Sequence, residues 1–509
     1  APAADAPVAD APAADEPAAD APDEEPDPEA EREAALFGEA PAEPSPADVP
    51  PTAPPPGEDR EAALFGGDGA PAGPASDGQW SDAAVEARLE AKNDPLQLGG
   101  RLYLRFQTSV PQDTDFEDWR LSNPNLVDLY LDARPTRRVR AFLQTRVTHD
   151  TTVQTGDTDP ITGAAAEPTD VVLDQLWLKF DVERRVFVTI GKQRVKWGAA
   201  RFWNPTDFLN AERLDPLAIF DERLGVPLVE LHVPLQDIGG NLYLVGLPGG
   251  ADALGEVGGA ARVEWLFATT EVSASVAGRD GQPLRLGGDL STALWDLDVK
   301  LEGAVQHGGD DVLRRWEGEF DLATFTFPTL EDRSDDWIPQ VAAGFEWGIP
   351  YGDDDTLYLT GEYFFNDAGY GDADLYPWFL ATDASRGLEG GIPGVDLGRG
   401  RDFTPLYLGR HYAALGLLAA GPGTWNDTTF LLSGIGNLSD RSFLARFDYQ
   451  VRVLTRLSIF AFVAAHLGQE GELKLALDLP PVPGVEGLED GISVPPTVVD
   501  VGLWLSVDL

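Results

Sequence analysis

The chain has 509 residues, with 86 Asp and Glu against 37 Lys and Arg, a formal charge of −49, and neither Cys nor Met. These counts exclude disulfide frameworks, thiolate metal sites and cysteine nucleophiles, and a surface of this sign repels phosphates, so no nucleic acid is expected as partner. An N-terminal Ala1 fits a processed, exported chain, and no stretch approaches about 18 uninterrupted apolar residues, so no transmembrane helix is expected.

Residues 1–80 hold 17 of the 41 prolines, and their 20 acidic residues face only Arg32 and Arg60, a balance of 2 − 20 = −18. Such a segment cannot bury enough apolar area to offset its ordering entropy, so it reads as a disordered, self-repelling tether. One word occurs in it twice. Glu31-Arg32-Glu33-Ala34-Ala35-Leu36-Phe37-Gly38 returns as Asp59-Arg60-Glu61-Ala62-Ala63-Leu64-Phe65-Gly66, and these are the only Leu and Phe of the segment. Acidic residues, then Ala, Leu, Phe and a closing Gly, describe a short helix with a C-cap. Leu36, Phe37, Gly38, Leu64, Phe65 and Gly66 are therefore candidate partner-binding residues, two copies gaining avidity; duplication inside a biased region is the plainer alternative. A helix is expected at Ser81–Asn93, stopped by Asp94-Pro95, with residues 81–95 leading into the body.

From residue 96 to 509 the hydrophobic period is two. Leu102, Leu104 and Phe106 alternate with Arg101, Tyr103, Arg105 and Gln107, and Phe443, Ala445, Phe447, Tyr449 and Val451 alternate with Arg446, Asp448, Gln450 and Arg452. Each such strand has one apolar and one polar face. Short turns near 134–138, 181–185, 235–240, 268–271, 351–355 and 453–456 alternate with long polar loops at 110–124, 149–169, 198–226, 248–258, 307–337, 367–404 and 468–496. The expectation is an all-β fold, an antiparallel transmembrane β-barrel of about 18 strands (16–20), with both ends on the short-turn side. A soluble core seldom needs Arg, Asp, Gln and Arg along one face of a strand, whereas a water-filled lumen does. A barrel this wide encloses water unless a loop folds inward.

Val188-Thr189-Ile190-Gly191-Lys192-Gln193-Arg194-Val195-Lys196-Trp197-Gly198, followed by Arg201-Phe202-Trp203-Asn204-Pro205-Thr206-Asp207-Phe208-Leu209-Asn210, resembles a signature of porin-like outer-membrane barrels. There a Gly-(Lys/Arg)-Gln strand ends in Trp-Gly and an Asn-Pro-Thr-Asp-type loop follows. The resemblance implies an outer-membrane pore or channel-like barrel and does not extend to the acidic tail. Leu509 stands where such barrels usually end in an aromatic residue.

Arg101, Arg105, Arg140, Arg146, Lys192, Arg194, Lys196, Arg446 and Arg452 are candidate lumen or constriction residues. Lys192, Arg194 and Lys196 share one strand side, and two readings stand: an anion-attracting ladder in the lumen, or an outward row meeting lipopolysaccharide phosphates. The phase of Val186, Val188 and Ile190 points them outward unless Gly191 marks a bulge. Asn204-Pro205-Thr206-Asp207 reads most simply as a turn with an Asx-type bond, with inward folding as a constriction the functional alternative. The histidines, His149, His232, His307, His411 and His466, show no ligand spacing, so no metal, cofactor or catalytic site is expected. The leading expectation is a non-enzymatic outer-membrane pore whose periplasmic tail recruits a periplasmic or outer-membrane partner protein, amid outer-membrane lipid and lipopolysaccharide. The alternative is a non-conducting anchor or scaffold for a trans-envelope machine.

Overall fold

The computed structural model describes residues 95–136, 138–155, 167–210, 223–309, 313–321, 324–352, 355–380, 406–479 and 491–509. The tail, its two Leu-Phe-Gly words and the helix expected at 81–93 lie outside the described residues.

The alternating pattern becomes strands because each one can turn its apolar side chains to one face and its polar ones to the other. In chain order they are β1 (Leu96–Pro111), β2 (Arg120–Ser122), β3 (Pro124–Thr136), β4 (Val139–Asp150), β5 (Thr169–Val182), β6 (Val186–Gln193), β7 (Val226–Leu235), β8 (Gly240–Leu247), β9 (Gly258–Phe267), β10 (Thr270–Gly278), β11 (Leu284–Leu294) and β12 (Leu297–His307). There follow β13 (Arg314–Glu317), β14 (Thr329–Asp332), β15 (Ile338–Tyr351), β16 (Asp355–Asn366), β17 (His411–Ala420), β18 (Thr428–Asn437), β19 (Ser442–Leu454), β20 (Leu457–Gly468), β21 (Leu477–Leu479), β22 (Ile492–Val494) and β23 (Thr497–Asp508). Nineteen join one antiparallel sheet; β2, three residues paired to β1, is a spur, so 19 − 1 = 18 strands form the wall. β1 pairs with β23 in the register Arg101 opposite Asp508 and Leu104 opposite Leu505, which closes the barrel and leaves no edge.

The strand count and the alternation of short and long connections match the sequence expectation. β17 shows the largest offset, beginning at His411 rather than near 405, because residues 406–410 are drawn into the interior. The stretches Trp316–Phe327 and Glu472–Leu479 add no wall strands; β13 pairs only with β14, and β21 only with β22.

Register assigns the faces. Arg446, Asp448, Gln450 and Arg452 lie opposite Ser433, Leu431, Thr429 and, on β20, Ser458, all on the inner face. The outer face is apolar and exposed, as at Phe106, Leu129, Leu176, Ile190, Leu244, Leu301, Leu415, Leu432, Val463 and Leu503. Exposed aromatic residues border it at both ends: Phe267, Trp295 and Trp425 beside short turns, Phe116, Trp119 and Trp337 beside long connections.

Candidate functional site

The connection between β6 and β7 decides what the barrel interior can do. It leaves β6 at Gln193 and returns at Val226, and residues 200–210 are all buried. Asp174 clasps both of its ends. The register between β4 and β5 slips at Asp174, turning this carboxylate inward, where it accepts from Arg194 Nη2 at 2.6 Å and from the Gly225 amide at 3.0 Å. The bulge therefore sits on the facing strand. Gly191 stays in continuous register with Trp177, and its φ of +131° brings an added Cβ within 2.1 Å of the Leu176 carbonyl, which only glycine avoids.

Beyond Trp197 the loop crosses to walls far along the chain. Glu302 on β12 accepts from the Ala200 amide at 3.0 Å and from the Thr206 amide and hydroxyl, each at 2.7 Å. Gly198 passes so close that a Cβ would lie 2.5 Å from the Glu302 carboxylate. On β16, Glu362 accepts from three successive amides, Arg201, Phe202 and Trp203, at 2.8, 3.2 and 2.8 Å. Arg201 reaches Glu346 on β15 at 3.1 Å. A buried loop leaves amides without water, and these carboxylates supply the acceptors.

Apolar packing completes the attachment. Trp203 stacks on Phe364 at 5.5 Å, tilts against Tyr412 at 5.4 Å, and donates its indole N–H to the Leu406 carbonyl at 3.1 Å. Phe202, Trp203, Ala342, Phe364, Leu406, Tyr412, Ile435 and Leu473 belong to one buried cluster inside the barrel, and Trp197, Phe208, Leu209, Leu228, Val245 and Ala304 to a second. The expected turn is present, closed by the Asp207 amide donating to the Asn204 carbonyl at 3.1 Å, and of its two readings the inward-folded one holds. Asn204-Pro205-Thr206-Asp207 is an inward fold, driven by Phe202, Trp203, Phe208 and Leu209, which cannot stay in water at low cost. Asn204 makes no Asx bond; Asp207 instead accepts from Asn210 and from Arg223 Nη1 at 2.6 Å.

The remaining wall, from β19 through β20 and β23 to β5, carries most of the arginines expected in the lumen, and carboxylates neutralise them locally. Arg101 pairs with Asp508 at 2.6 Å, Arg140 with Asp132 and Arg146 with Asp128, each at 2.9 Å, and Arg446 with Asp448 at 2.7 Å. Arg105, buried, donates to the Pro124 carbonyl and lies over the Trp504 ring. Arg140 lies over Trp177 and Arg446 over Phe462. Arg452 shares their inner face. This wall is a row of ion pairs and aromatic rings rather than an uncompensated positive ladder.

The Lys192, Arg194, Lys196 row splits. Lys192 lies opposite outward Leu176 and donates to the Leu173 carbonyl at 2.6 Å. Arg194 turns inward to Asp174 because β6 ends at Gln193, and Lys196 is exposed on the connection. Lys192 is therefore not a lumen residue. Glu302, Glu346, Glu362 and Asp174 hold the site together, and sequence reasoning passed over them. Among the described residues, no cluster of His, Asp and Glu has metal-binding geometry. Leu36, Phe37, Gly38, Leu64, Phe65 and Gly66 lie outside the described residues.

No family model matches the chain, and a search of curated proteins finds no relative. Among solved structures it is similar to OccAB4 of Acinetobacter baumannii at 7% identity, covering 82% of this chain and 98% of that one with a TM-score of 0.46. It is also similar to OprB of Pseudomonas putida (11%, 85% and 97%, TM-score 0.42) and to the outer membrane protein opdK of Pseudomonas aeruginosa (12%, 81% and 98%, TM-score 0.42). Likenesses of this size leave the architecture to rest on the strand register itself.

Proposed function

We propose that the chain is an outer-membrane pore, narrowed by the β6–β7 connection, with solute passing beside the ion-paired wall of β19 to β5. One observation carries this reading: an exposed apolar belt, bordered by aromatic residues, surrounds a wall whose inner face bears arginine–carboxylate pairs. That inversion of a soluble protein suits hydrocarbon outside and water inside, and eighteen strands enclose room for an aqueous path beside one folded-in loop. Lys192 and Lys196 stand near the long-connection rim, where lipopolysaccharide phosphates would meet them. The acidic tail, reaching into the periplasm from the short-turn side, recruits a partner protein through its two Leu-Phe-Gly words, and the protein performs no chemistry.

Purified full-length chain in planar bilayers tests the pore: discrete ion-conducting steps are expected, and a correctly assembled barrel that passes no current would overturn the reading. The second reading, a non-conducting anchor for a trans-envelope assembly, draws support from the apolar clusters packed inside the barrel, and silence in the same experiment would favour it. For the tail, changing Leu36, Phe37, Leu64 and Phe65 to Ala should abolish capture of a periplasmic partner while the barrel still assembles. Undiminished capture would refute the motif.

A further inference from the structure

The long-connection rim contains a buried carboxylate that the pore reading does not use. Glu472, on the connection between β20 and β21, is 8% exposed. Its Oε1 accepts from the Tyr407 and Leu408 amides at 3.1 and 3.0 Å; its Oε2 meets the Tyr412 hydroxyl at 2.5 Å and the Asn437 amide at 2.9 Å. Four parts of the chain converge here: residues 406–408, the start of β17, the β18–β19 turn and Glu472's own connection.

The segment it grips continues to the constriction. Leu406, next to the two gripped amides, accepts the Trp203 indole N–H, so one short strap links Glu472 to the inward loop. Leu406 also has φ +65°, a left-handed backbone that a branched side chain tolerates only when held, at a cost of about 1–2 kcal/mol. The strap is strained, and Glu472 holds it.

We propose that Glu472 is the latch of a conformational device in which residues 406–408 couple the outer rim to the constriction loop, so that releasing Glu472 loosens Trp203 and changes the pore. The inference rests on the pore reading for its effect on current, but not for the latch itself.

The electrostatics give the latch a direction. The titratable groups facing Glu472 and its neighbour Leu473 are Asp440 on the β18–β19 turn, Tyr412 on β17, Tyr376 from the β16–β17 connection and His466 on β20, which bonds the Leu473 carbonyl and pairs with Asp500; no Lys or Arg donates to Glu472 among the described residues. Asn437 bridges Asp440 and Glu472, and the Glu472 amide donates to Asp440 at 2.9 Å. Burial, reinforced by Asp440, pushes the Glu472 carboxyl up to about 7. A raised carboxyl means that the latched state holds the proton more tightly than the released one, so the latch is complete only at or below the ordinary carboxylate range, weakens as pH rises from there, and has lost this contribution once pH passes about 7. The Tyr412 hydroxyl and the Asn437 amide donate to Oε2, and ionisation places a second negative charge beside Asp440 with no Lys or Arg donating to it among the described residues. Glu472→Gln preserves the shape and neutrality of the latched form at every pH.

Hydrogen exchange at the Tyr407 and Leu408 amides of the full chain in detergent, wild type against Glu472→Gln at matched pH, tests this. At about pH 4.5 the two should exchange alike; at about pH 8.5 the wild type should exchange at least roughly ten-fold faster. Equal exchange at both values, or a wild type looser in acid, would overturn the latch. Should Glu472→Gln fail to assemble, the wild type alone decides, since its protection, corrected for intrinsic rates, must fall between the two pH values. In bilayers the wild-type current should change between about pH 4.5 and 8.5 and that of Glu472→Gln should not. If exchange responds and current stays constant in a conducting barrel, the coupling to Trp203 is wrong; a barrel that never conducts removes the pore reading and leaves the latch standing.

Discussion

The two sides of the barrel interior use the same alternation for opposite ends. On β12, β15, β16 and β17 the inward residues include Glu302, Ala342, Glu362, Phe364, Tyr412 and Ala414, each nearly or fully buried against the inward loop or the strap. On β19, β23, β1, β3 and β4 they include Arg446, Asp448, Trp504, Asp508, Arg101, Arg105, Asp128, Arg140 and Arg146; Arg105 and Arg146 are buried, while Arg101 retains 29% side-chain exposure, Arg140 22% and Asp508 45%. On the first wall Glu302 and Glu362 give their oxygens to backbone amides, and Glu346 takes the Arg201 guanidinium that the loop carries in; the second wall pairs its carboxylates with its own guanidinium groups. A carboxylate serving amides fixes a loop, whereas one serving an arginine makes a neutral pair of opposite charges on the wall.

The comparison breaks most readily where the packed side is weakest in alternatives. Changing Glu302 and Glu362 together to Ala strands five buried amides, each worth about 1–3 kcal/mol when left unpaired. The loop should leave the far wall, and single-channel conductance should rise by about two-fold or more as the obstructed area opens; unaltered conductance would mean that the loop does not limit flow. Next in size, Trp203→Ala removes a ring stacked on Phe364 and should lower barrel stability by about 3–5 kcal/mol, read as an earlier denaturant-unfolding midpoint in detergent. On the outer face, Leu432→Arg should cost about 2–4 kcal/mol in lipid if that residue meets hydrocarbon, and a neutral effect would argue against the membrane belt. The smallest effect belongs to the ion-paired wall. Arg446→Ala leaves Asp448 uncompensated, and the reversal potential in a salt gradient should shift toward cations by a few millivolts, of the order expected for one unscreened wall charge.

Much of the wall was legible in the sequence because strand alternation is a local property. The turn and loop pattern located all eighteen wall strands, and the run from Phe443 to Arg452 declared its two faces without help from any neighbour. β17 shows the limit of that legibility: Leu406 and Leu408 continue an alternating pattern, yet tertiary contacts with Trp203 and Glu472 take them out of the wall. The interior was much less legible. Nothing near Glu362 in the chain indicates three amides arriving from 159 to 161 residues away, and nothing near Arg101 indicates Asp508. Charge pairing is a property of register and closure, so arginines that read as a positive ladder become neutral pairs once the partner strands are in place. The signal for the inward loop was present in Phe202, Trp203, Phe208 and Leu209, an apolar load too heavy for an exposed turn.

The absence of native cysteine makes one measurement especially direct. Single cysteines placed at Gln144 on the ion-paired wall, Ala342 on the packed wall and Leu432 on the outer belt would be offered a membrane-impermeant thiol reagent, with the barrel in lipid. Rapid labelling at residue 144, with residues 342 and 432 protected, is the result expected of a half-filled aqueous pore in a membrane. Labelling at 432 to the same extent as at 144, or protection at all three, would contradict it.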